Sequence, residues 1–193
     1  MLFSKMKIGG LLVGLSLILA GCGGSKQEPP AEVPTPVKPV PPPAPPPEPV
    51  DDSQTFAGDT WQLTVPSTVE RKRTDDENLV FAGTDSSEKR LILLVREEVK
   101  GNSDTSAARA DLANSLVLGG LSNGFVPTTE STGNLNGVPF TKVELVKPQV
   151  AVTHNWVLVQ SGHGYALACG GAISNAAKHA TVCATIATSL KLK

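Results

Sequence analysis

Aromatic side chains are scarce in this chain: Phe, Trp and Tyr make up 4% of its 193 residues. A platform that stacks nucleic-acid bases on aromatic rings is therefore not expected. Positive charge is not in excess either. Seventeen Lys and Arg stand against eighteen Asp and Glu, a formal net charge of −1, whereas a protein that neutralises phosphates needs a basic face. No nucleic acid is expected as a partner. The apolar stretch Ile8 to Ala20 runs for 13 residues, too short to cross a hydrocarbon core of about 30 Å as a helix. Cysteine is rare and odd in number, with three residues, Cys22, Cys169 and Cys183.

Proline is not rare, but it is unevenly spread. Of the 16 prolines, 12 fall among the 21 residues from Pro29 to Pro49. Proline fixes φ and has no N–H, so this stretch can enter neither a helix nor a central strand. An extended polyproline II rod of about 3.1 Å per residue would span about 65 Å. Its Val, Thr, Lys and Glu suit a solvated spacer better than a PxxP ligand.

The first 22 residues read as an address. Lys5 and Lys7 form a positive n-region, the apolar run follows, and Leu19-Ala20-Gly21-Cys22 closes the segment with small residues. This is the layout of a secretory signal peptide. The final tetrapeptide resembles the lipobox of bacterial lipoproteins. The resemblance implies a leader of residues 1–21, a diacylglycerol thioether on Cys22, and a mature chain anchored in a lipid bilayer without spanning it. Gly23 stands where an Asp would mark inner-membrane retention in enteric-type bacteria, which implies the outer membrane, with the domain in the periplasm.

Three parts follow: residues 1–21 as leader, 22–52 as lipidated linker, and 53–193 as one globular domain of 141 residues. Within that domain, Trp61–Val65 alternates apolar and polar residues and ends at Pro66, as a half-buried strand does. Leu79–Ala82 and Leu91–Val95 read as a hairpin around the polar turn Asp85–Glu88. A helix is expected from Thr105 to Leu118, capped by Ser103 or Asp104 and ended by Gly119-Gly120. Its apolar stripe is Ala108, Leu112 and Leu116, flanked by Ala113 and Val117. Asn136-Gly137 signals a tight turn between strands at 128–135 and 138–146. Strands at 150–153 and 156–160 are separated by His154-Asn155. The turn Ser161–Gly164 leads into Tyr165–Cys169, where Tyr165, Leu167 and Cys169 share one face. From about Asn175 to Leu190 a helix is expected, with Ala176, His179, Ala180, Cys183, Ile186, Ala187 and Leu190 on one side. The fold class is α+β, an antiparallel sheet with two helices laid on it.

The order of these elements resembles the PsbP-like fold, which includes DcrB-type bacterial lipoproteins. The likeness is carried by Phe56 with Trp61-x-Leu-x-Val-Pro66, the middle helix, Gly164-Tyr165-Ala166-Leu167-Ala168-Cys169 and the closing Ser189-Leu190-Lys191-Leu192. It covers most of residues 56–193. The resemblance implies an accessory binding role rather than catalysis, since most proteins with this fold are accessory binding proteins, although their jobs are unrelated.

Cys169 and Cys183 are expected to point inward from adjacent elements of an exported domain, an oxidising setting that favours a disulfide. Closing 14 residues stabilises a fold by about 3 kcal/mol through lost chain entropy. Packed free thiols are one rival reading. A zinc site built from His163, Cys169, His179 and Cys183 is another, although the spacing matches no usual zinc pattern. No metal or cofactor is expected. No catalytic residues are assigned: the G-x-S-x-G word is missing, and Gly119-Gly120 and Gly170-Gly171 lack the ending of a phosphate loop. Asp75-Asp76-Glu77 and Glu97-Glu98 read as solvated turn charges. Two roles follow, an anchored binding or scaffolding domain that contacts another envelope protein, or an anchored hydrolase or ligand carrier with a hidden site.

Overall fold

The computed structural model describes residues 52–99 and 106–193. The leader, Cys22, the proline-rich stretch and the expected caps Ser103 and Asp104 lie outside the described residues. In chain order the elements are β1 (Ser53–Ala57), β2 (Trp61–Pro66), β3 (Val69–Arg71), β4 (Leu79–Asp85), β5 (Arg90–Glu98), α1 (Ser106–Ser122), β6 (Val126–Leu135), β7 (Val138–Lys147), β8 (Ala151–Gln160), β9 (His163–Ala172), a short 3-10 turn, α2 (Ala176–Ser189) and β10 (Lys191–Leu192). Seven strands form an antiparallel sheet in the order β3-β4-β5-β9-β8-β7-β6, while β1, β2 and β10 form a second sheet. The expected α+β class is the one adopted.

Turn chemistry sets the hairpins. Asn136 and Gly137 both take positive φ, 52° and 89°, the twist that a two-residue hairpin needs. Ser161 and Gly162 do the same between β8 and β9, with φ of 51° and 78°. His163 therefore already belongs to β9 rather than to the turn. The expected break at His154-Asn155 does not occur, and β8 runs unbroken through both residues. Both side chains are buried. The Asn155 amide donates to the Val143 carbonyl across the strand pair at 3.1 Å and to Thr153 Oγ1 at 3.1 Å. An amide that finds partners inside the sheet need not leave it, while His154 is held there by packing and by the nearby Glu144 carboxylate, with no hydrogen bond to its ring nitrogens.

The two faces of the large sheet carry different layers. On the core face, Phe81, Ile92, Leu94, Trp156, Leu158 and Leu167 pack with Trp61, Leu63 and Val65 of β2 and with Cys183, Ile186 and Ala187 of α2. Each fully buried Leu or Ile contributes about 2 kcal/mol. Tyr165, Leu167 and Cys169 share this face, as their alternation implies. On the reverse face, Val143, Leu145 and Val157 meet Leu112, Ala113, Leu116 and Val117 of α1.

Helix α1 does not stop at Gly119-Gly120 but continues to Ser122. Gly120 is buried against Leu145, whose Cδ1 lies 2.8 Å from where a Cβ would stand, so this glycine serves close packing rather than termination. The stop comes four residues later. Gly124 has φ of 78°, its N–H donates to the Leu121 carbonyl at 3.0 Å, and the Phe125 N–H donates to the Gly120 carbonyl at 3.0 Å. That pair of bonds is the Schellman ending of a helix.

Glycines 137 and 170 separate two causes of intolerance. A Cβ on Gly137 meets nothing within 4 Å and costs only its left-handed φ, about 1 kcal/mol. A Cβ on Gly170 would run into the backbone of Val152 and Thr153 on the paired strand, with Thr153 Cα at 2.7 Å. Gly170→Ala is expected to cost about 3 kcal/mol and Gly137→Ala about a third of that, both read from urea unfolding midpoints.

Candidate functional site

The sequence pointed to Cys169, Cys183, His163 and His179, and the structure divides them. Cys169 on β9 and Cys183 on α2 form a disulfide, with Cα atoms 5.5 Å apart. Both residues are buried. The bond consumes the two thiolates that a zinc site would need. His163 stands at the opposite end of β9, six residues from Cys169, where its Nδ1 lies 3.0 Å from the Ser161 carbonyl. At about 3.3 Å per residue, that separation is about 20 Å. His163 is not part of the cluster around the disulfide.

His179 is part of that cluster, one turn before Cys183 on the same face of α2. It joins a chain of buried polar groups that the sequence did not reveal. Asp85 and Arg90 are directly opposed at the closing end of the β4–β5 hairpin. Their side chains form an ion pair, Arg90 Nη1 to Asp85 Oδ2 at 3.1 Å, each about 2% exposed. Arg90 Nε–H also donates to His179 Nδ1 at 3.4 Å. The Asp85 carboxylate accepts from Ser87 Oγ at 2.6 Å, from Thr68 Oγ1 at 3.2 Å and from the Glu88 N–H at 3.3 Å. The turn Asp85–Glu88 is thus folded onto a buried carboxylate, while Ser86 and Ser87 stay exposed. Burial alone would raise the pKa of Asp85, but these hydrogen bonds and Arg90 outweigh it and hold the group below the ordinary carboxylate value.

A second buried imidazole lies beside the first. His154 faces Cys169 across β8–β9 and Glu144 across β7–β8. Its Nδ1 is 3.2 Å from Glu144 Oε2. The ring packs near Trp156, over whose own ring the Lys142 ammonium sits at 5.3 Å. Burial pushes the pKa of both histidines down. Glu144 opposes this at His154, with Lys142 and His179 pushing further down. At His179, Arg90 adds to the effect of burial. Gly171 makes room for the His179 ring, since a Cβ there would lie 2.6 Å from Nε2.

An Asp–Arg–His chain can hold an imidazole in one tautomer, because the Arg90 donor requires Nδ1 of His179 to accept. Catalysis would also need that imidazole to meet a substrate, and His179 is 0% exposed. The arrangement instead ties the β4–β5 hairpin to the first turns of α2 beside the disulfide. Glu97 also differs from expectation. It is half-buried at the end of β5, opposite Gly164, where Leu112 of α1 packs. Burial raises its pKa. The one advance signal for the cluster was His179 on an apolar helix face; Asp85 read only as part of a polar turn and Arg90 carried no signal, because their burial depends on α2, far along the chain.

Similar architecture is found in solved structures. The cyanobacterial PsbP protein CyanoP of Synechocystis superposes with a TM-score of 0.61 at 10% identity, covering 75% of this chain and 94% of its own. The domain has the PsbP-like fold. LpqN of Mycobacterium tuberculosis, described as involved in cell envelope biogenesis, gives 0.54 at 11% identity, over 73% of this chain and 90% of its own. The Ran-binding protein Mog1p of Saccharomyces cerevisiae gives 0.52 at 12%, over 72% and 95%. No protein-family model matches the chain, and no curated protein matches it in sequence. At these identities the likeness concerns the fold.

Two outcomes follow from this cluster. In the unreduced protein, alkylation should leave Cys169 and Cys183 unmodified, with both labelled only after reduction and unfolding, as read by intact mass. Replacing both by Ala should lower stability by about 3 kcal/mol in urea.

The histidines set a pH dependence of definite sign. Each has a folded pKa below its ordinary 6.5, so as pH falls the unfolded chain takes up protons first. Their contribution to stability is complete above about 6.5 and is lost as pH drops toward the folded values. Glu97, with a raised pKa, acts in the opposite sense at lower pH. A lower urea midpoint at about pH 5.5 than at about pH 7.5 is expected, flattened in His154→Gln.

Proposed function

We propose that this protein is a bacterial envelope lipoprotein, anchored through an acylated Cys22, whose PsbP-like domain binds another envelope protein and performs no catalysis. The observation that carries the reading is the order of parts along the chain. Lys5 and Lys7, a 13-residue apolar run and Leu19-Ala20-Gly21-Cys22 come first, then the proline-rich stretch, then the folded domain. Two or more acyl chains, at about 0.8 kcal/mol per buried methylene, hold such a protein on a bilayer. A rod of about 65 Å would let the domain reach away from the lipid. Gly23 in place of Asp favours the outer membrane, with the domain in the periplasm.

Two further observations support the binding role. Asp85, His154 and His179, which could do acid–base chemistry, are all buried away from any substrate, with Asp85 paired to Arg90, His179 accepting from Arg90 and His154 set beside Glu144. The structural similarity to LpqN, a protein involved in cell envelope biogenesis, agrees with an envelope setting. The disulfide suits an oxidising compartment.

The anchor is tested by labelling cells with radioactive palmitate. The wild-type chain should carry the label and partition with outer-membrane lipid, and Cys22→Ser should lose both properties. An unlabelled wild-type chain in the soluble periplasm would remove the lipoprotein reading. For the binding role, reversible crosslinking in intact cells should join the wild-type domain to one recurrent envelope protein.

A further inference from the structure

The two edges of the seven-stranded sheet are finished differently. At one edge β6 is ten residues long, and it is guarded by Pro127 and by a register shift between Pro127 and Thr129. Proline and bulges at an edge discourage further strand pairing. At the other edge β3 is only three residues long and pairs with Gly83–Asp85 of β4. Lys72 adds one more bond, its N–H donating to the Ala82 carbonyl at 2.8 Å. Past that point the chain leaves the sheet and returns where the Leu79 N–H donates to the Asp76 carbonyl at 3.1 Å, so that between these two bonds Val80 and Phe81 of β4 have no strand on their outer side. The gap is a groove of about 470 Å³ between residues 71–76 and β4, with Leu79–Ala82 lining it.

Cations outnumber carboxylates in the lining of this gap, three to one. Arg71, Lys72 and Arg73 are consecutive, exposed and line the groove. Among the described residues, neither arginine has a carboxylate within ion-pairing distance. Arg71 lies over the Phe56 ring at 5.8 Å. Lys72 pairs with Glu70 at 2.8 Å, and both side chains are more than half exposed. A surface pair of that kind exchanges partners at little cost. The acidic residue in the lining, Asp76, turns its carboxylate onto the Asn78 N–H at 2.9 Å.

We propose that this groove receives an extended acidic peptide segment of a partner protein, which pairs with the short open edge at Val80 and Phe81 while its carboxylates meet Arg71, Lys72 and Arg73. Backbone pairing with an open sheet edge supplies affinity, and side-chain charge supplies selectivity. A second copy of the chain offering the same edge would set like charges against each other. A flat anionic membrane could touch the cationic rim but could not pair with the strand edge inside the groove. The proposal rests on the reading of the domain as a binding domain and names the kind of partner.

The test uses the full lipidated chain in detergent and a fluorescent ten-residue peptide of alternating Glu and Val, with Lys–Val and Gln–Val peptides as controls. The Glu–Val peptide should bind and weaken as salt rises, and the other two should not. Arg71→Glu with Arg73→Glu should lower its affinity by about tenfold or more without moving the thermal midpoint, and should gain affinity for the Lys–Val peptide. Absence of Glu–Val binding, or binding indifferent to the double substitution, would overturn the groove. Binding of anionic vesicles but not of peptide would assign the cations to the membrane instead. The broader role is read separately: envelope crosslinks formed through residues outside the groove would leave the domain a binding domain while overturning this site.

Discussion

The bond between Cys169 and Cys183 fixes α2 over the middle of the large sheet, and the rest of the core face is arranged around that placement. Cys169 lies on β9, with β5 on one side and β8 on the other. With α2 seated there, Ile186, Ala187 and Leu190 meet Trp61, Leu63 and Val65 of the small sheet. The Thr64 N–H donates to Ser189 Oγ at 2.9 Å, and β10 then pairs with β2. Strands from the two ends of the domain are thereby joined through one helix. The far end of α2 is finished by another part of the chain, because the Asn136 amide donates to the Leu190 carbonyl at 2.8 Å and to the Thr188 carbonyl at 3.1 Å. The hairpin turn of β6–β7 thus satisfies carbonyls that a helix end leaves open.

The same placement decides the fate of the buried charges. An unpaired guanidinium in a core costs several kcal/mol, and an ion pair there does little more than recover that cost. Arg90 is satisfied only when the β4–β5 hairpin is in register, which brings Asp85 opposite, and when α2 sits low enough to present His179 Nδ1. A slip of one residue would move Arg90 to the other face of the sheet. The ion pair therefore contributes less to net stability than to the choice of one register, while the disulfide and the apolar contacts supply the stability.

Local physics made much of this architecture legible in the sequence. Alternation gave β2 and β9 with their faces, Asn136-Gly137 gave a hairpin, and the spacing of His179, Cys183, Ile186 and Ala187 gave the buried side of α2. What failed was local evidence overridden by distant contacts. Gly119-Gly120 reads as a stop, but Leu145 on another element makes Gly120 a packing residue. His154-Asn155 reads as a break, but the Val143 carbonyl on the adjacent strand satisfies Asn155 inside β8, and His154 packs there beside Glu144 and Trp156. Asp85 reads as part of a polar turn, and Arg90 carries no signal, for the same reason. The second sheet also escaped notice, because β10 is two residues long and exists only against β2.

These failures share a cause that bears on how the fold persists at 10–12% identity to CyanoP, LpqN and Mog1p. A pattern of burial on two sheet faces and two helix faces tolerates wide substitution, provided volume and alternation are kept. Polar interiors and edges are not constrained in that way. A buried Asp85–Arg90–His179 chain or a β3 cut to three residues changes which registers and which surfaces are available without changing the layers. In this chain the buried polar contacts and the short edge strand β3 therefore specify a register and an exposed surface that the layers alone leave open.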